Sequence, residues 1–145
     1  MNRRDAEALV QEIMDEYGLI ADGWDWEFDQ AKKRFGVCRH RLKVIGLSWP
    51  LVSLNEREAV ETTILHEVAH ALAGANAGHG PVWAAWCHDL GIKAERCYDD
   101  QSVVMPPAPW YLVCPLCGSR TARQRRTKTP YVCKHDGIRV EWERG

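Results

Sequence analysis

The sequence predicts an α+β fold in two parts, a small sheet packed on one central helix and then a short cysteine-bearing ribbon. Three observations predict it. His66-Glu67-Val68-Ala69-His70 sits in a helical stretch that is apolar almost all the way round. Alternating and hairpin-like stretches precede it over residues 24–48, and a basic tail with Cys114, Cys117 and Cys133 closes the chain. A length of 145 residues suits one main domain with an appendage. The run containing Pro106, Pro107 and Pro109 is a linker of limited flexibility, so residues 1–109 are expected to form the main domain and 110–145 the ribbon.

Taken in order, residues 4–18 read as an amphipathic helix. Leu9, Val10, Ile13, Met14 and Tyr17 recur at three and four, and Gly18 can end it. Trp24-Asp25-Trp26-Glu27-Phe28 alternates large aromatics with acids, the pattern of a half-buried strand. A hairpin follows over about 35–48, one strand including Val37-Cys38-Arg39 and the other Leu42 to Ser48, with Pro50 at or beyond its end. Asn55 and Glu58 have the spacing of a capping box, Asn55 as N-cap and Glu58 at N3, opening a helix over about 56–73 that stops at Gly74. A short helix should begin with Pro81 at N1 and end at Gly91, packing through Trp83, Trp86, Cys87 and Leu90.

Charge divides the chain as well. Residues 1–110 hold 11 Lys/Arg against 17 Asp/Glu, a net of −6; residues 111–145 hold 8 against 3, a net of +5. The apolar share of 46% and the charged share of 27% are those of a soluble globular protein. No run approaches the roughly 18–20 apolar residues of a membrane span. The N-terminus, Met1-Asn2-Arg3-Arg4-Asp5, opens an amphipathic helix and not a secretory segment. The expected setting is the cytoplasm or nucleoid, with no membrane partner, and a monomer. There, metal-bound and free thiols fit the six cysteines better than three disulfides do.

The chemistry is concentrated at residues 66–79. Positions four apart share a helix face, so His66 and His70 can bind one ion. His79 follows in the turn Gly78-His79-Gly80-Pro81, where the glycines let the chain reverse toward that face. Three nitrogens leave a zinc ion one open position, the catalytic arrangement. Glu67, one residue round from His66, suits a base acting on water beside the ion. Left without partners, these polar groups on so apolar a helix would each cost several kcal/mol, about 2–7. Arg96 and Tyr98 are weak candidates for oxyanion stabilisation, with ordinary surface residues the plainer reading.

The tail carries a second signal. Cys114-Pro115-Leu116-Cys117-Gly118 is a zinc knuckle, and Cys133-Lys134-His135-Asp136-Gly137 stands where a ribbon needs its second one. Asp136 is in register with Cys117, and His135 lies one residue early. Three readings stay open: a Cys3Asp site, a Cys3His site, or a degenerate ribbon that folds without metal. Arg120, Arg123, Arg125, Arg126, Lys128 and Lys134 meet no acid between 115 and 134, so a two-stranded ribbon presenting them would attract phosphate without reading sequence. Trp110, Tyr111 and Tyr131 are candidates for stacking on bases or for packing the ribbon.

With these residues in place, the chain resembles the SprT-like metallopeptidases, the group that includes the DNA-dependent protease acting on DNA–protein crosslinks. The likeness runs through Trp24–Phe28, Ala31–Cys38, His66–His70, His79-Gly80-Pro81-Val82-Trp83 and the terminal ribbon. It implies a zincin-like fold, a catalytic zinc on His66, His70 and His79, and Glu67 as the acid–base. It further implies a zinc-dependent endopeptidase whose protein substrates are associated with DNA, in repair or replication-linked turnover. A competing reading from another class is a nucleic-acid-binding or adaptor module with structural zinc sites.

Overall fold

In the computed structural model, residues 1–95 and 103–145 are described. The chain divides into two compact units, Met1–Pro106 and Pro107–Gly145. Both mix or contribute small sheets, and the whole is an α+β protein. Among the described residues no helix is long and apolar enough to cross a membrane.

The first unit opens with α1 (Arg3–Glu16), capped by the Asn2 side chain, which accepts from the Asp5 N–H. Its stripe of Ala6, Leu9, Val10, Ile13 and Met14 is buried, as the three-and-four spacing requires. Three strands follow: β1 (Asp25–Asp29), β2 (Gly36–Arg39) and β3 (Val44–Ser48). The expected hairpin forms between β2 and β3, but β3 is the central strand, with β1 parallel to it on the other side. Ile45 and Leu47 of β3 are fully buried.

A helix absent from the sequence reading, α2 (Trp49–Leu54), follows β3 directly. Ser48 caps it by accepting from the Leu51 N–H, and Pro50 lies in its first turn, where a missing N–H costs nothing. The long helix α3 (Arg57–Ala73) ends at Gly74, and α4 (Pro81–Asp89) starts with proline in its first turn. α3 touches α1, α4, β2 and β3, which makes it the centre of the unit.

The capping box is not formed. The N-cap of α3 is Glu56, with no side-chain bond to the helix. Buried Asn55 is engaged elsewhere: its Nδ2 donates to the carbonyls of Leu51 and Val104 at 2.8 Å each, and its Oδ1 accepts from the Val104 N–H at 2.7 Å. One amide side chain thus pairs with residue 104 as a neighbouring strand would, and Val103 beside it joins the core. A contact 49 residues away outcompeted a local cap.

The second unit is a three-stranded antiparallel sheet, not the two-stranded ribbon the sequence suggested. Its order is β5 (Arg120–Arg123), β4 (Trp110–Val113), β6 (Glu141–Arg144). One tight turn, at 114–119, joins β4 to β5, and a second, at 133–138, is closed by an isolated bridge between Val132 and Arg139.

Candidate functional site

His66 and Glu67 are neighbours on α3, His70 lies one turn further on, and the turn between α3 and α4 returns His79 to the two histidines. Ligand nitrogens of the three histidines all fall within 4.8 Å of one another. His70 Nε2 and His79 Nε2 are 3.1 Å apart. Two nitrogens on a tetrahedral zinc at 2.0–2.1 Å would stand about 3.3–3.4 Å apart, so the spacing suits an ion shared between them. Burial first, then the neighbouring imidazoles, hold His66 and His70 down to about 4, which leaves both rings neutral with lone pairs to donate. Among the described residues, no fourth His, Cys, Asp or Glu joins the cluster.

The platform beneath them is Trp83, which the sequence presented as a packing residue of α4 and as part of the resemblance at His79–Trp83, not as a contact of the histidines. It is 1% exposed, stacks on His70 at 5.2 Å and 21°, and meets His66 at 5.0 Å and His79 at 4.7 Å edge-on. One indole therefore contacts all three imidazoles. Its Nε1 is buried with no acceptor among the described residues, a cost of about 1–3 kcal/mol tolerated at the centre of this cluster. The signal available in the sequence was position: Trp83 lies four residues beyond His79, facing back from the first turn of α4.

Glu67, next to His66 in the chain, is 4% exposed. Strand β2 crosses directly against it. A Cβ at Gly36 would stand 3.0 Å from Glu67 Cγ and 3.1 Å from Thr63 Cγ2, so glycine lets the strand approach without pushing on either side chain. Burial pushes the Glu67 carboxyl up to about 7, partly offset by the Arg34 guanidinium. Arg34 is itself tied to Asp29 at 3.0 Å. A cation held by the adjacent imidazoles would draw the carboxyl back down. Also on β2, the Cys38 thiol is pushed up to about 12 by burial and then by Glu67, which makes it an inert neighbour. Arg96 and Tyr98 lie outside the described residues.

In the second unit the two turns share one backbone pattern. In the first, the Cys114 N–H donates to Ser119 O at 3.0 Å and the Gly118 N–H to Cys114 O at 2.9 Å. In the second, the Cys133 N–H donates to Ile138 O at 2.8 Å and the Gly137 N–H to Cys133 O at 2.9 Å. Gly118 and Gly137 have φ of +74° and +70°, a conformation costly for other residues. Asp136 thereby occupies the place of Cys117. Cys114, Cys117, Cys133 and Asp136 converge within 4.8 Å, and His135 is not in the group. Cys117 Sγ and Cys133 Sγ are 3.6 Å apart, and Cys114 Sγ lies 3.3 Å from an Asp136 oxygen. Ligands on a tetrahedral zinc would stand about 3.8 Å apart for two sulfurs and about 3.6 Å for sulfur and oxygen. The Ser119 hydroxyl holds the Cys117 thiol below its ordinary value, which favours the thiolate a metal needs.

The basic residues divide by location. Arg120 and Arg123 lie on β5; Arg125, Arg126 and Lys128 follow it, and Lys134 is in the second turn. Arg120 is 3.6 Å from Glu143 and its guanidinium lies 3.9 Å over Tyr111, so strand β6 brings it an acid that the sequence interval did not contain. Arg126 lies 5.5 Å over Trp110, and Arg123 lies 6.0 Å over Tyr131. Beside them, a hollow of about 520 Å³ is lined by Arg126, Lys128, Tyr131, Arg139 and Trp142, among others. Arg139 and Trp142 went unmarked in the sequence because they lie beyond the second knuckle.

The chain belongs to the SprT-like family: the model of that family matches residues 6–101, and the family is metallopeptidase-related. None of the curated proteins compared with the chain matches it. The family match runs from within α1 through α4, including every residue of the histidine cluster, and stops before the second unit.

Proposed function

We propose that the chain is a zinc-dependent endopeptidase of zincin-like build, acting on proteins associated with DNA. The observation that carries this reading is the convergence of three histidine nitrogens, with no fourth ligand among the described residues, next to a buried glutamate that is not one of the cluster. His66, His70 and His79 would hold the ion, seated on Trp83. When bound, zinc supplies Lewis acidity toward a water and a peptide carbonyl. Glu67 accepts a proton from the attacking water and returns it to the departing amine nitrogen. Gly36 keeps β2 tight against Glu67, so the carboxylate has one position from which to act. The adaptor alternative needs a closed four-ligand site at His66 and His70, and the three-membered cluster does not favour it.

Glu67→Gln tests the mechanism. The variant should retain the metal at the three histidines and lose at least about 10²–10⁴-fold in hydrolysis of an unfolded protein. Wild-type turnover by the metal-loaded variant would defeat the assignment.

For the second unit, we propose a structural zinc on Cys114, Cys117, Cys133 and Asp136, and non-specific DNA binding through Arg120, Arg123, Arg125, Arg126, Lys128 and Lys134. The arginines lying over Trp110, Tyr111 and Tyr131 support this, because they place charge for phosphate beside ring faces for bases. Replacing Arg123, Arg125 and Arg126 together with alanine should weaken binding to unrelated DNA sequences about equally and flatten its salt dependence. Unchanged affinity would remove these residues from the interface.

A further inference from the structure

A groove of about 810 Å³ runs from His66 along the flank of α3 toward its N-terminus. Glu58, Ala59, Thr62, Thr63 and His66 form its α3 wall, all on one face of the helix. Eight residues at 1.5 Å each make that wall about 12 Å long, room for about three to four residues of extended polypeptide. Residues 91–93 and 95 contribute a second wall, and Val104, held by the Asn55 amide, closes the end with Leu54.

The two ends of this groove differ chemically. Near His66 the lining is small, Thr62 and Thr63. At the far end, Leu54 and Val104 are 44% and 55% exposed, next to the carboxylates of Glu56 and Glu58. Lys93 and Glu95 add one charge of each sign. Among the described residues, Glu56, Glu58 and Glu95 form no ion pair. Apolar surface bordered by carboxylates that have no ion-pair partner among the described residues matches one kind of side chain, with a long aliphatic stem and a cationic head. An apolar residue alone would leave the acids unanswered, and an acidic one would be repelled.

We infer that this groove selects the substrate, binding an extended segment on one side of the cleaved bond and seating a lysine or arginine three to four residues from it against Leu54, Val104, Glu56 and Glu58. The inference rests on the peptidase reading, and it adds the substrate class: polypeptides carrying basic residues in flexible stretches. The preference cannot come from the second unit, because the net charge of +5 over residues 111–145 attracts acidic peptides instead.

The test uses the full, zinc-loaded chain and Ala/Ser-based decapeptides containing one lysine, one glutamate or neither. Peptide affinity is measured with Glu67→Gln, and cut position with the wild type by mass spectrometry. Binding of the lysine peptide should be about three- to tenfold tighter than that of the neutral one at low salt, and the glutamate peptide weaker still. Cuts should fall three to four residues from the lysine. Adding Glu56→Gln and Glu58→Gln should reduce the preference below about twofold, and Glu58→Lys should shift it toward the glutamate peptide. Equal affinity for all three peptides, or a lysine preference that survives the double change, overturns the proposal. Selective binding without any cleavage by the wild type would sink the peptidase reading and leave the groove's selectivity standing. Cleavage without preference would do the reverse.

Discussion

The histidine cluster stands on a buried indole and on a core built from α1, the sheet, α3 and α4, whereas the cysteine cluster stands on almost nothing but itself. In the first unit, more than a dozen apolar side chains from Ala6 to Val103 are buried around α3. In the 39 residues of the second, the buried apolar residues are Ala108, Leu112, Cys114 and Cys133, so half of them are candidate metal ligands. Domains below about 40 residues usually need a metal, a disulfide or a partner to fold. The difference teaches that one ion would serve chemistry on a scaffold already made, and the other would make its scaffold. Two clusters of similar compactness therefore carry opposite relations between metal and fold.

The largest expected effect breaks the comparison outright. Stripping metal from the full chain should unfold residues 107–145, since structural zinc supplies about 10–16 kcal/mol in small modules. Residues 1–106 should keep their slow amide exchange under the same treatment. Exchange measured by mass spectrometry with and without chelator reads both units in one experiment, and uniform protection or uniform loss would erase the contrast.

A second, smaller effect probes the platform. Trp83→Ala should cost the first unit about 3–5 kcal/mol, the range for emptying a buried aromatic site. Trp83→Phe should cost less than the lost ring area implies, because it also deletes an indole N–H with no acceptor. Thermal melts give the stability, and metal titration should show weakened affinity in both variants even where the fold survives. Wild-type metal affinity in Trp83→Ala would mean the imidazoles need no common seat.

The smallest expected effect sharpens the comparison within the second unit. Asp136→Cys should tighten metal binding by the ribbon, since thiolate is the softer ligand on an unchanged turn. His135→Ala should leave it the same. A loss on His135→Ala would move the fourth ligand one residue upstream.

What the sequence disclosed and what it hid follow from the range of each interaction. α1, α3 and α4 are legible because apolar spacing, Gly74 and Pro81 are local signals. The histidine cluster is legible for the same reason, its ligands falling on one helix and the turn after it. Asn55 is misread because its amide is claimed by Val104, a partner that only the folded chain supplies. α2 is missed because Trp49-Pro50-Leu51-Val52 looks like the tail of a buried strand, and its cap, Ser48, is also the strand's last residue. β6 is missed because four residues with two glutamates have no strand pattern until β4 pairs with them. Trp83 was seen but undervalued, since nothing in a sequence says what lies above a ring.

Gly36 has a further consequence, for the order in which the site assembles. The three histidines fall within residues 66–79, so docking α3 on α4 closes only a short loop of chain and already gathers the ligands. Glu67 acquires its enclosure only when β2 arrives, about thirty residues upstream in sequence, a contact of higher sequence separation that is slower to form. On the proposed reading, a partly folded chain would hold a metal before its base is positioned. Metal content is then a poor witness of a competent enzyme. Protection of the amides around Gly36 is the better one.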